Sequence, residues 1–149
     1  MSKFDTFENN FLKLVFTNTA PSVPVGGSGG IQPSSTAGSL YIALFTADPT
    51  EAASFANECT YTGYARKAVA RGTGTWTVTS GVCTNDAAIT FGTCTAGSET
   101  ATYFGICKTI SGTTTSDLIM YGQFTGGGLS ISSGVTPQIE AGNLSVTES

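Results

Sequence analysis

Histidine, the side chain that most often transfers protons in enzymes near neutral pH, does not occur in the 149-residue sequence. Nucleophiles of the Ser-His and Cys-His kinds are therefore excluded. The ten carboxylates are scattered singly, and a glycosidase-like pair that folding could assemble, for instance from Asp48 and Glu58, has no support beyond proximity. Cys59 precedes the cations Arg66 and Lys67, but no motif marks it as a reactive thiol. The sequence predicts no catalytic residue and a protein that is not an enzyme.

The cysteines are not spaced like metal ligands. Cys59, Cys83, Cys94 and Cys107 include no C-x-x-C pair, and zinc sites need such close pairs or histidines. No metal site and no cofactor site are predicted. Four cysteines allow three disulfide pairings, and without a recognisable signal peptide we favour buried, reduced thiols.

The charge balance is acidic and charged residues are few. Six Lys and Arg against ten Asp and Glu give a net charge of −4, and charged residues make up 11% of the chain. Arg66, Lys67 and Arg71 lie close together, but three cations are too few for a nucleic-acid surface. The low charge fits either burial of surface in an assembly or a surface coated with Ser and Thr. In an acidic domain these three cations pair with its own carboxylates or with those of a neighbour, and in the second case they are candidate contact residues.

An amphipathic helix is predicted over residues 3–17. Phe4, Phe7, Phe11 and Leu14 recur at three- and four-residue spacing, with polar residues between them. So short a helix is marginal in water by itself. Its apolar stripe must dock on the domain's own sheet or on a neighbouring subunit, and in the second case these four residues form the interface.

Residues 18–38 are predicted to form an irregular arm. Three prolines and the GGSGG run prevent a regular element. The segment contains no lysine, so its glycines do not form a phosphate-binding loop. Because such an arm can reach a neighbouring subunit, Val25 and Ile31 are further candidate interface residues.

Residues 39–149 show the pattern of many short strands. Leu40 opens an apolar strand that ends before Asp48-Pro49, and a second strand returns from Tyr64. Beyond Arg71, short apolar or alternating runs separated by Gly, Ser and Thr turns bring the prediction to about eight to ten strands. This is typical of an all-β fold, an antiparallel β-sandwich or jelly roll, here with one N-terminal helix in a single domain. No apolar run approaches the ~20 residues of a membrane span, and the charged N-terminal residues are unlike a secretory signal.

Short motifs follow one another along the chain: FENNFLKLVF, SLYIALFTADPTEA, YTGYARKAVAR, AAITF, ATYFGI, LIMYGQFTG and IEAGNLSVTES. In this order they resemble a family of small virion proteins of tailed bacteriophages, often labelled tail fibre proteins. The chain departs from the family pattern at Tyr103, where a histidine is common, and in its longer glycine-rich loop. The first departure argues against a shared catalytic role, and the second suits a subunit-specific arm.

The resemblance implies a structural protein of the phage particle, made in the host cytoplasm. Since the chain lacks the heptads or β-helical repeats of an elongated shaft, the leading hypothesis is a capsid decoration or cement protein. Such a homo-oligomer would bind the major capsid protein through many weak contacts. The alternative is a tail-associated adaptor or tail fibre component that contacts other virion subunits. A third hypothesis is a carbohydrate-binding jelly-roll module that uses Trp76, Tyr61 or Tyr64. Neither a membrane nor a nucleic acid is expected as a partner.

Overall fold

The computed structural model of the protein describes residues 3–22 and 31–148. Val25 and the GGSGG run of the predicted arm lie outside the described residues. Helix α1 spans Asp5–Leu12, and a π-helical turn continues it over Lys13–Thr17. A 3-10 turn covers Thr125–Gly127. The strands are β1 Ser39–Phe45, β2 Lys67–Ala70, β3 Trp76–Thr79, β4 Val82–Asn85, β5 Ile89–Thr90, β6 Ser98–Ala101, β7 Tyr103–Cys107, β8 Leu118–Gln123, β9 Leu129–Ser132, β10 Gln138–Ile139 and β11 Ser145–Thr147.

These strands form four small sheets, with orders β2-β1-β7-β8, β10-β5, β11-β4-β3 and β6-β9. Every pairing for which a register is defined is antiparallel. The prediction of an all-β antiparallel fold with one N-terminal helix is confirmed.

Contacts between Cα atoms divide the chain into two compact units. Unit 1 contains the described residues of Met1–Ser39, Ala70–Ala88 and Glu140–Ser149, and unit 2 contains Leu40–Val69 and Ile89–Ile139. The assignment of the whole chain to one domain stays a prediction.

Unit 1 is built on a tight hairpin. Thr79 pairs with Val82, and the two residues between them, Ser80 and Gly81, have φ values of 51° and 75°. Positive φ at both central residues is the mark of a type I′ turn, whose twist matches that of the paired strands. The Asn9 side-chain oxygen accepts a hydrogen bond from the Gly81 N–H at 3.0 Å, so α1 fastens the turn.

The helix docks on this unit, but through a different face from the one predicted. Leu12 and Phe16 are fully buried, and the Phe16 ring lies 4.9 Å from that of Trp76, measured between centroids. By contrast, Phe4 and Phe11 are 62% and 37% exposed. Apolar residues occupy more than one face of this helix, and the large buried ring of Trp76 determines which face is covered.

Unit 2 is built around the four-stranded sheet. Ala43, Phe45 and Cys107 form a buried cluster with partly buried apolar side chains packed against it: Tyr41, Phe55, Tyr103 and Leu118. The returning strand is shorter than predicted, since β2 begins only at Lys67. Tyr64 and Arg66 therefore belong to the loop before it, where their side chains bond to other parts of unit 2.

Replacing Gly105 with alanine should destabilise unit 2. Gly105 lies in β7 opposite Ala43, and a Cβ atom there would stand 2.7 Å from both Leu118 Cδ1 and Phe45 Cε2. Forcing a methyl group into a packed core typically costs about 1–3 kcal/mol. The control is Gly74→Ala, where no atom lies within 4 Å of the added Cβ. Equal urea midpoints for the two variants would contradict the prediction.

Candidate functional site

The most closely bonded polar group of unit 2 is the pair formed by Arg66 and Glu58. Arg66 Nε donates to Glu58 Oε1 and Nη2 donates to Oε2, both at 2.7 Å. The remaining nitrogen, Nη1, donates to the Thr109 carbonyl at 3.0 Å, and the guanidinium carbon lies 4.8 Å from the centre of the Phe55 ring. The hydrogen bond to Glu58 raises the pKa of Arg66 above its ordinary value. A planar, bidentate pair of this kind fixes the relative orientation of the two side chains, and among the cationic side chains only arginine can form it.

Tyr64 extends this network to β1. Its hydroxyl donates to Glu58 Oε1 at 2.9 Å and accepts from the Leu44 N–H at 3.0 Å. Burial raises the pKa of the Tyr64 phenol well above its usual range. The loop between β1 and β2 is thus tied to the sheet through the Glu58 carboxylate.

Arg71 performs a comparable role in unit 1. Its guanidinium donates to the carbonyl oxygens of Leu14 and Val15 in the π-helical turn, and also to Ser34 Oγ and the Ala37 carbonyl. Carbonyl oxygens at the C-terminal end of a helix lack intrahelical partners and carry partial negative charge, so they favour a cation. Arg71 therefore joins the helix end to the segment that leads into β1.

The predicted cation cluster does not exist as a surface. Arg66 is buried and saturated by partners in unit 2, and Arg71 is bonded within unit 1. Of these three cations, only Lys67 is exposed and without a bonding partner among the described residues. Sequence proximity suggested a shared contact. Because the two arginines have internal partners, Lys67 is the exposed member of the three, and the contact with another protein stays a prediction.

The other predicted interface residues remain accessible where they are described. Phe4 and Phe11 are exposed, Phe7 and Leu14 beside them are half-buried, and Ile31 is exposed. The first four lie on one side of the helix, next to the face that Leu12 and Phe16 dock. Among the described residues, these four form the largest set of predicted contact residues that stays at least partly exposed.

The residues considered for catalysis have structural partners. Glu58 is held by Arg66, and Asp48 Oδ1 accepts a hydrogen bond from the Thr50 N–H at 2.7 Å, which is an Asx turn. Cys59 is buried, and its burial raises the pKa of its thiol to about 12. In the part of the chain that the structure describes, no group of three or more His, Cys, Asp or Glu could hold a metal ion. No helix in the same part is long and apolar enough to cross a membrane.

All four cysteines are buried and free, in agreement with the prediction of reduced thiols. Burial raises the pKa of the thiols of Cys59, Cys83 and Cys107 to about 12. A thiolate at these positions would lose most of its hydration, so the neutral form is favoured in the folded state.

The protein should consequently lose stability at alkaline pH. In the unfolded chain these thiols release protons from about pH 8.5, whereas in the folded chain they keep them to about pH 12. Below pH 8 the stabilisation is complete. Above it, the free energy of unfolding should fall by up to about 1.4 kcal/mol per pH unit for each of the three thiols. Urea unfolding at pH 7, 9 and 10 measures this, and Cys83→Ala should reduce the slope. A free energy of unfolding that stays constant to pH 10 would rule out the assignment.

The aromatic residues proposed to stack on a sugar are unsuitable for that role. Trp76 is 1% exposed, and its Nε1–H donates to the Ala70 carbonyl. Tyr61 is buried with its hydroxyl bonded to the Gly92 carbonyl, and the Tyr64 hydroxyl belongs to the Glu58 network. The prediction that Trp76, Tyr61 or Tyr64 stacks on a sugar is wrong, because Trp76 and Tyr61 are buried and the half-buried Tyr64 is held by Glu58 and Leu44.

A comparison with protein families identifies the relationship. The model of the family described as podophage GP4 fiber I protein gp80 matches residues 2–147. The chain belongs to this family. Membership of the gp80 fibre family makes it a structural, tail fibre-type protein of a phage, in agreement with the coarser part of the resemblance. A search of curated proteins found no match.

Two features of this gp80 family member were missed from sequence. One is the role of Glu58 as the partner of Arg66, for which an acidic residue eight positions before the arginine was the available signal. The other is the docking of Phe16 on Trp76, which no local pattern indicates because sixty residues separate the two rings.

Proposed function

We propose that this chain is a non-enzymatic structural subunit of the tail fibre apparatus of a short-tailed phage. The observation that carries the proposal is the match of the podophage fibre family model to nearly the whole chain, residues 2–147. The described geometry supports a structural role, since the charged side chains of Arg66, Glu58 and Arg71 are occupied by internal bonds. No observation specifically favours the capsid cement hypothesis, so we treat it as the alternative outcome of the copy-number measurement described below.

The proposed mechanism is repeated weak contact with neighbouring virion subunits, including further copies of the same chain. The contact surface is the exposed side of the helix, with Phe4 and Phe11 accessible and Phe7 and Leu14 beside them. Burying apolar surface is worth roughly 25 cal/mol per Å², so four side chains give a modest contact. Symmetric repetition of that contact gives a stable assembly.

The first test is the copy number of the chain per purified particle, measured by quantitative mass spectrometry against the major capsid protein. A ratio below about one in twenty supports the fibre assignment, because few symmetric copies fit around a tail. A ratio near one, or a simple fraction such as one half, would overturn it in favour of capsid cement. Absence of the chain from particles would reject both.

The helix contact gives a second expected result. Replacing Phe4 and Phe11 together with serine should leave the chain folded, with a loss of no more than about 2 kcal/mol in the free energy of unfolding, because Phe4 is 62% and Phe11 37% exposed in the isolated chain. The same variant should be incorporated into particles at a clearly reduced level. Ile110→Ser removes a similarly exposed apolar side chain from unit 2 and serves as the control. Normal incorporation of the double variant would contradict the proposed surface.

A further inference from the structure

A groove runs within unit 1 between the helix and the strand β3. It consists of two adjoining hollows of about 320 and 440 Å³ that share Lys13 and Val78. These volumes lie in the range of small-molecule sites. Among the described strands, β3 is the end strand of its sheet, so the groove follows an edge with no further strand beside it.

The walls of the groove are held in place by bonds among themselves. Asn10 and Ser22 are hydrogen-bonded to each other through their side chains, and the hydroxyls of Thr17 and Thr19 are 2.7 Å apart. Asn10 and Thr17 are also buried. A ligand would therefore meet a largely preformed surface, which lowers the entropy cost of binding.

Other polar groups in the groove have no bonding partner among the described residues. They are the Lys13 ammonium group and five hydroxyls, those of Thr6, Thr73, Thr77, Thr79 and Ser80. Each hydroxyl can both donate and accept a hydrogen bond. Such a lining is matched by a ligand that presents many hydroxyl groups.

The charge of the groove narrows the ligand class. None of the thirteen lining residues is acidic and one is a lysine, although the chain as a whole has ten acidic residues against six Lys and Arg. A single ammonium group suits one carboxylate and is too little for a nucleic acid, which needs several cations. The surface of the hollow lined by Trp76 is mostly apolar and that of the other hollow is mostly polar, so a ligand that combines hydroxyl groups with apolar C–H faces, as a sugar does, matches the pair.

We propose that this groove binds an acidic saccharide, with Lys13 at its carboxylate and the free hydroxyls along the groove at its hydroxyl groups. Since Lys13 and Val78 line both hollows, a linear chain of two or more sugar units can reach across them and fills them better than a monosaccharide. This proposal replaces the aromatic platform predicted from sequence with a different set of residues. It does not depend on where the chain sits in the particle.

The test is a titration of the full ¹⁵N-labelled chain with trigalacturonic acid at 50 mM and 150 mM salt. Amide signals of the helix and of residues 73–80 should shift, with a dissociation constant on the order of 1 mM. Lys13→Gln should weaken binding by about fivefold or more, because it removes one charge-assisted hydrogen bond. Lys67→Gln, a change of another exposed lysine in unit 2, should leave the affinity unchanged.

Three outcomes would overturn the proposal. One is the absence of localised shifts at 20 mM ligand. Another is an equal loss of affinity in Lys13→Gln and Lys67→Gln, which indicates non-specific attraction. The third is the same set of shifts with maltotriose or with sodium acetate. Shifts with maltotriose would show that the ligand needs no carboxylate, and shifts with acetate would show that it needs no sugar. The copy-number measurement uses particles and fails or succeeds independently of this titration.

Discussion

Replacing Arg66 with methionine should cost about 3–5 kcal/mol of the free energy of unfolding, the largest effect we expect from a single side chain. The substitution keeps the apolar stem, but it leaves the Glu58 carboxylate with no counter-charge in a site where the Arg66 side chain is only 3% exposed. An uncompensated charge in such surroundings is far more costly than the pair itself. The Thr109 carbonyl also loses its donor. Far-UV circular dichroism during urea unfolding measures the change.

A double substitution separates the cost of the unpaired Glu58 charge from the cost of the lost Arg66 packing. In Glu58→Gln/Arg66→Met the unpaired carboxylate is gone, so the double variant should be more stable than the sum of the two single losses implies, by about 1–3 kcal/mol. Lys67→Met, at the next residue and exposed, is the matched control and should change stability by no more than about 0.5 kcal/mol. Strict additivity of the two single substitutions would show that Arg66 and Glu58 do not act as a pair.

Arg71→Ala should lower the stability of unit 1 by about 2–4 kcal/mol. Four hydrogen bonds are lost, and each contributes roughly 0.5–1.5 kcal/mol net. The carbonyls of Leu14 and Val15 also lose the cation at the helix end. Arg71→Lys should recover only a small part, because an ammonium group cannot reach several acceptors with the geometry of a planar guanidinium.

The protein offers a convenient way to assign this loss to one unit. Trp76 is the single tryptophan of the chain and lies against Phe16 in unit 1. Its fluorescence therefore reports the unfolding of that unit, while circular dichroism reports both. The urea midpoint by fluorescence should fall in Arg71→Ala. If Arg71→Lys has the same urea midpoint as the unsubstituted protein, the planar geometry of the guanidinium is not what stabilises unit 1.

Local patterns in the sequence were sufficient for several elements. The apolar run after Ser39 became β1, and the alternation from Trp76 to Thr79 with Ser80-Gly81 after it became a hairpin. These elements depend on strand propensity and turn chemistry, which are properties of neighbouring residues.

The roles of the charged and aromatic side chains could not be predicted in the same way. Arg66 and Arg71 are five positions apart, yet their partners are a carboxylate in the preceding loop and carbonyls more than fifty positions away. Phe4 and Phe16 are equally apolar, and only the distant Trp76 distinguishes them. Long-range contacts of this kind do not leave a periodic signal in the sequence.

The division of unit 1 among three stretches of chain has a consequence for how the protein is made. Its last strand, β11, pairs with β4, and the Lys3 ammonium group forms an ion pair with Glu148, 145 positions later. All residues of unit 2 lie between these stretches. On a ribosome the helix can dock on Trp76 and Gly81 once residues 70–88 have emerged, whereas β4 lacks its partner β11 until both segments of unit 2 have been synthesised. Closing so long a loop is slow and entropically costly, so the edge of β4 that awaits β11 stays unpaired for longest and is open to premature association in the nascent chain.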